Sequence, residues 1–118
     1  MRLRLTLVAA VMAALVVPSV AEASPRLYGK VGPDMTITLK RADGTVVHSI
    51  GHGRKTFIIR DRSSAHNFHL FGPGSVDRAT GIAFIGRRKW RGVRLRAGTY
   101  TYRCDAHTST MTRTFTVT

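Results

Sequence analysis

From residue 24 onward the chain is a succession of short alternating stretches separated by turn residues, with no run at helical period. Met35-Thr36-Ile37-Thr38-Leu39-Lys40 alternates apolar and polar positions and predicts a half-buried strand. Arg41-Ala42-Asp43-Gly44 supplies a turn with an Asp-Gly pair, after which Thr45-Val46-Val47 resumes extended structure. Gly51-His52-Gly53 predicts a second turn before the strand Thr56-Phe57-Ile58-Ile59-Arg60. Residues 70–81 read as a loop, punctuated by Gly72-Pro73-Gly74 and Gly81. Trp90, Val93 and Leu95 mark a further strand, with Arg94 and Arg96 turned away from the core, and Ala97-Gly98 ends it. In Thr99-Tyr100-Thr101-Tyr102-Arg103-Cys104, period-two alternation puts Tyr100, Tyr102 and Cys104 on one inward face. Phe115 and Val117 supply the inward face of a last strand. Many short strands without helices predict an all-β, Greek-key β-sandwich built as a single domain.

The first 23 residues follow a different pattern. Met1-Arg2-Leu3-Arg4 is a short basic start, followed by an apolar run from Leu5 to Val17 that Pro18 breaks. Ala21-Glu22-Ala23 then has the small-x-small form of a signal-peptidase site. The apolar run of about 13 residues falls short of the ~20 that a membrane-spanning helix needs. Residues 1–23 are therefore expected to be a cleaved secretory signal peptide, leaving 24–118 as an exported domain, periplasmic or extracellular, with no transmembrane segment. Leu3 separates Arg2 from Arg4, so the twin-arginine route is not indicated. The absence of a cysteine after the apolar run excludes a lipid-modified N-terminal cysteine.

Charge narrows the partners. The full sequence carries 19 Lys and Arg against 6 Asp and Glu, a formal +13, and removal of Arg2, Arg4 and Glu22 would leave +12. Such a field favours anionic partners: an acidic redox protein, anionic envelope polymers or lipid headgroups. No nucleic-acid-binding module is recognisable, so nucleic acid is not expected. The densest run is Arg87-Arg88-Lys89 with Arg91; Arg94, Arg96 and Arg103 are expected to point outward. These charges either form a docking surface or serve only solubility. A monomer is expected.

Candidate chemistry concentrates near the C-terminus. Cys104 is the only cysteine, and His107 and Met111 follow it within eight residues. A lone cysteine cannot form an internal disulfide, so in an exported chain it is a buried apolar residue, an intermolecular link or a functional thiolate. A second imidazole, His66, ends an apolar-polar run far upstream. One thiolate, two imidazoles and a weak thioether form the donor set of a blue-copper electron-transfer site. His69 is the rival donor, but alternation turns it to the face opposite His66. Met111 has a plain reading as core filler, and Asp105 as a solvated loop carboxylate. His48 and His52 flank a glycine turn and are expected at the surface. The scattered carboxylates offer no nucleophile, base and orienting partner, so no enzyme activity is expected.

With these residues in view, the chain resembles the small bacterial cupredoxins of the plastocyanin and azurin type. The resemblance rests on Ser64-Ala65-His66-Asn67-Phe68-His69-Leu70 and on Gly98-Thr99-Tyr100-Thr101-Tyr102-Arg103-Cys104-Asp105-Ala106-His107 with Met111 beyond it. It implies one type 1 copper per chain, held by His66, Cys104, His107 and Met111. It also implies that Asn67 ties the ligand loops together by hydrogen bonds. Two functions fit these atoms: an exported carrier cycling one electron between Cu(I) and Cu(II), or a copper-binding or trafficking module without redox turnover.

Overall fold

A computed structural model describes Thr6, residues 8–15 and residues 24–118. The expected signal-peptidase site at residues 21–23, and most of the leader around it, lie outside these residues. Among the described residues there is no helix, and so none long and apolar enough to cross a membrane.

The described residues form nine strands: β1 (Arg26–Val31), β2 (Ile37–Arg41), β3 (Ser49–Ile50), β4 (Gly53–Asp61), β5 (His69–Gly72), β6 (Val76–Ala79), β7 (Gly86–Leu95), β8 (Gly98–Arg103) and β9 (Thr112–Val117). They make a four-stranded sheet in the order β2-β1-β4-β7 and a five-stranded sheet in the order β3-β9-β8-β5-β6. The chain repeatedly leaves one sheet for the other, and the expected Greek-key sandwich is what results. Parallel pairs β1–β4 and β3–β9 are the signature of these crossovers.

Alternation explains which side chains meet between the sheets. In β1, Leu27 and Val31 are buried while Arg26, Tyr28 and Lys30 are exposed. In β8, Tyr100 and Tyr102 are buried, and Cys104 continues the same face immediately after the strand. Phe68 stacks on Tyr102 with centroids 5.4 Å apart, Tyr100 stacks on Phe115 at 5.5 Å, and Trp90 tilts against Phe57 and Phe68. This aromatic layer is the floor beneath Cys104. The Tyr100 hydroxyl donates to the Pro73 carbonyl and accepts from the Arg96 amide, both at 2.9 Å, which pins two turns together.

Two elements differ from expectation. Residues 70–81 are not a loop: β5 and β6 form a hairpin, and β5 also pairs with β8. The β5 strand is only four residues long and ends at the glycine-rich turn, so its period-two signal is too short to recognise. Conversely, Thr45-Val46-Val47 holds only an isolated bridge between Lys40 and Val46, and paired structure resumes at β3.

Candidate metal centre

Cys104 follows β8 directly, so the strand's inward face delivers its sulfur to the interior with no exposure. The next residues double back. The His107 amide donates to the Cys104 carbonyl at 3.1 Å and the Met111 amide to the His107 carbonyl at 2.8 Å. The Cys104 amide then donates to the Met111 carbonyl at 2.9 Å and closes the loop at its neck. That neck leads straight into β9, and the Met111 side chain is fully buried.

His66 arrives from the other side of the sandwich. It stands in the loop between β4 and β5 rather than at a strand end. This loop is braced by Asp61, whose carboxylate accepts the Ser63 amide at 3.2 Å and the Thr80 hydroxyl at 3.0 Å. The Thr80 hydroxyl in turn accepts the Phe68 amide at 2.9 Å. Asp61 is only 1% exposed, and this burial raises its pKa, against the lowering effect of the two hydrogen bonds. Gly32 allows the close approach that the loop needs. Its φ is +67°, and a Cβ there would lie 2.9 Å from the Ser63 Cβ and 3.3 Å from the His66 ring.

The two segments converge on a triangle of donor atoms. Cys104 Sγ lies 3.7 Å from His66 Nδ1 and 3.6 Å from His107 Nδ1, and the two nitrogens are 3.1 Å apart. A triangle with these sides has its centre about 2 Å from each corner, which is metal–imidazole bond length. Among the described residues this is the one group of three such donors close enough to hold a metal ion. His66 and Cys104 are buried and His107 is partly exposed, so one imidazole edge meets solvent. A soft thiolate with two imidazoles in one plane is the donor chemistry that copper prefers.

Asn67 joins the segments. Its amide N–H points at Cys104 Sγ at 3.5 Å, its side-chain oxygen accepts the Asp105 amide at 2.7 Å, and its Nδ2 donates to the Thr80 carbonyl and the Asp105 carboxylate. Asp105 is more than a solvated loop carboxylate. It accepts from Asn67, His69 and Arg103 at 2.9–3.1 Å. Partial burial pushes its pKa up, but the bonds from His69, Asn67 and Arg103 outweigh this and hold it at about 2. His69 lies outside the donor triangle, its ring held between Asp105 and Asp77. Burial opposes its protonation, yet the bonds to the two carboxylates prevail and raise its pKa. His52 binds the Thr118 carbonyl at the far end of the fold.

The local sequence carried no signal for Gly32, Asp61 or Thr80. Asp61 meets Thr80 across 19 residues of chain, and Gly32 meets the His66 loop only because β1 and β4 lie side by side.

No family model and no curated protein matches this sequence. Solved structures do match. Dithionite-reduced auracyanin from the photosynthetic bacterium Roseiflexus castenholzii is 18% identical, over 82% of this chain and 99% of its own, with a TM-score of 0.56. Reduced rusticyanin is 19% identical, over 84% of this chain and 82% of its own, with a TM-score of 0.52. These likenesses define the fold: the chain has the cupredoxin sandwich. Its His66, Cys104 and His107 donors, with buried Met111 four residues beyond His107, fit a type 1 copper centre.

Proposed function

We propose that this protein is an exported one-electron carrier whose copper would be held by His66, Cys104 and His107, with Met111 as a weaker fourth ligand. The observation that carries this reading is the donor triangle, already closed to metal-binding size by contacts within the protein. Bound copper supplies the one-electron chemistry by alternating between Cu(I) and Cu(II). The chain's part is to keep the donors still. Asn67 and Asp105 lock the His66 segment to the Cys104 segment through three hydrogen bonds of their own, and the Cys104–Met111 bond closes the loop. Donors that move little between oxidation states keep the barrier to electron exchange small. The Asn67 amide at Cys104 Sγ is also a means of tuning the potential, because hydrogen bonds to a ligating sulfur change its donor strength. His107, the donor with an exposed edge, is the natural exit toward a redox partner with an acidic docking surface.

The test is to add Cu(II) to the purified protein and record its visible spectrum and its voltammetry. One equivalent should give an intense thiolate-to-copper absorption and a reversible one-electron wave. A protein that stays colourless with stoichiometric Cu(II) overturns the reading. Colour without a reversible wave favours a copper-holding role instead.

A further inference from the structure

The outer face of the four-stranded sheet has a charge pattern that the donor site does not use. Register sets Lys30 opposite Arg60, and Arg60 opposite Arg87, so three cations stand side by side on β1, β4 and β7. Neighbouring strands lie only about 4.8 Å apart. The next outward row places Lys40 and Lys89 at its ends, with Tyr28 and Ile58 between them. Among the described residues no carboxylate is paired with a cation of this face. The single acidic residue of the four strands is Asp61, which is turned inward and bonded to Ser63 and Thr80. Asp34, in the turn after β1, is engaged by the Thr36 hydroxyl. All ion pairs among the described residues gather instead around Asp77 and Asp105, near the other sheet. The crowding is felt at Lys89, whose pKa is lowered first by Arg91, then by loss of solvent, and last by Arg26.

Beside this face stands an apolar turn. Gly81-Ile82-Ala83-Phe84-Ile85, between β6 and β7, has no polar side chain, and the Phe84 amide closes it on the Gly81 carbonyl at 3.0 Å. Ile82 is 43% exposed and Ile85 61%. The turn and the cations are contiguous, since Ile85 lines one shallow depression with Arg60, Arg62 and Arg87, and with Asp61, whose carboxylate is bonded to Ser63 and Thr80. Arg88 covers Phe84, its guanidinium carbon 3.8 Å from the ring centroid. A soluble acidic polymer would satisfy the cations and leave the isoleucines in water. An anionic bilayer satisfies both, with headgroup charge at its surface and acyl chains just beneath.

We propose that this edge of the four-stranded sheet docks the protein on an anionic lipid bilayer, with Ile82 and Ile85 entering the headgroup–acyl boundary and Lys30, Arg60, Arg87 and Lys89 facing the headgroups. Lys30 and Arg60 lie at the ends of β1 and β4 that lead to Gly32 and to the His66 loop. Docking therefore holds the donor end of the sandwich close to the membrane. The proposal does not depend on copper.

The test uses residues 24–118, which contain all the strands and the buried core found among the described residues. Co-sedimentation is measured with phosphatidylcholine vesicles, with and without about one-third phosphatidylserine. Binding is expected only to the anionic vesicles and should weaken as salt rises. The exposed pair Ile82→Ser with Ile85→Ser should weaken it about tenfold at constant salt. Arg60→Glu with Arg87→Glu should weaken it more than tenfold, while Arg113→Glu at an exposed position of β9 should have an effect of about twofold or less. Absence of binding to anionic vesicles overturns the proposal. So does binding that the serine pair leaves unchanged and that soluble polyglutamate matches, since that result identifies an acidic chain as the occupant.

Discussion

The two sheets handle their polar groups in opposite ways. Where the five-stranded sheet ends at Cys104, polar groups are matched within the protein: Asn67 uses its backbone amide and both side-chain ends, and Asp105 accepts three donors. Among the described residues no buried side-chain nitrogen or oxygen lacks a partner. On the outside of the four-stranded sheet, Lys30, Arg60 and Arg87 stand in one row with no carboxylate among the described residues at bonding distance. A matched network holds a geometry by itself and is suited to binding something small in a fixed arrangement. An unmatched row of like charges is a field rather than a cavity, and suits a large partner of opposite sign. One fold thus carries a rigid centre and an electrostatic face, and the two should respond to different mutations.

The largest expected effect comes from the centre. Cys104→Ser should abolish the thiolate-to-copper absorption entirely, while far-ultraviolet circular dichroism still reports a β-fold. Loss of the fold as well would mean that the sulfur is a structural necessity and the centre is not separable from the sandwich.

His66 and His69 sharpen the comparison within the centre itself. His66→Ala should remove the coloured site, because it opens one corner of the triangle. His69→Ala should leave the colour, because that ring is engaged by Asp77 and Asp105. A reversed outcome would mean that the loop from Ser63 to Phe68 sits one register step away from its described position.

Gly32→Ala probes how tightly the segment after β1 packs against the His66 loop after β4, within one sheet. The positive φ and the 2.9 Å approach to Ser63 together should destabilise the fold by about 1–3 kcal/mol, measured by denaturant unfolding. A neutral result would show that the His66 loop yields easily and is not a rigid support.

Met111→Leu should keep the copper and raise its reduction potential, since a weak donor is replaced by none. Complete loss of copper would make Met111 an anchoring ligand rather than an axial one.

The smallest effect is the pH response of His69. Its folded pKa is raised, so its contribution to stability is complete below the unfolded value near 6.5 and is lost as pH rises through the folded value. The melting temperature of the copper-free protein should fall slightly over that interval, and His69→Gln should flatten the slope. An unchanged slope would remove His69 from the account.

Much of this architecture could be read along the chain because its causes are local. Period-two alternation in residues 99–104 places Tyr100, Tyr102 and Cys104 inward whatever the sheet order, and the structure buries all three. The two residues between Cys104 and His107 leave little freedom but to turn the imidazole back toward the sulfur, and the Sγ–Nδ1 distance of 3.6 Å is the outcome. The excess of basic over acidic residues likewise needs no fold to be seen. The unread parts depend on segments remote in the chain. Asp105 looks like an ordinary loop carboxylate until Asn67 and His69, more than 30 residues earlier, are laid against it. The β5 strand is too short to declare itself and exists through its pairing with β6 and β8. Lys30, Arg60 and Arg87 are unremarkable residues apart, and become a row only when three strands come into register. Side-chain direction follows from backbone geometry within a few residues, whereas hydrogen-bond partners and charge neighbours follow from which distant strands share a sheet.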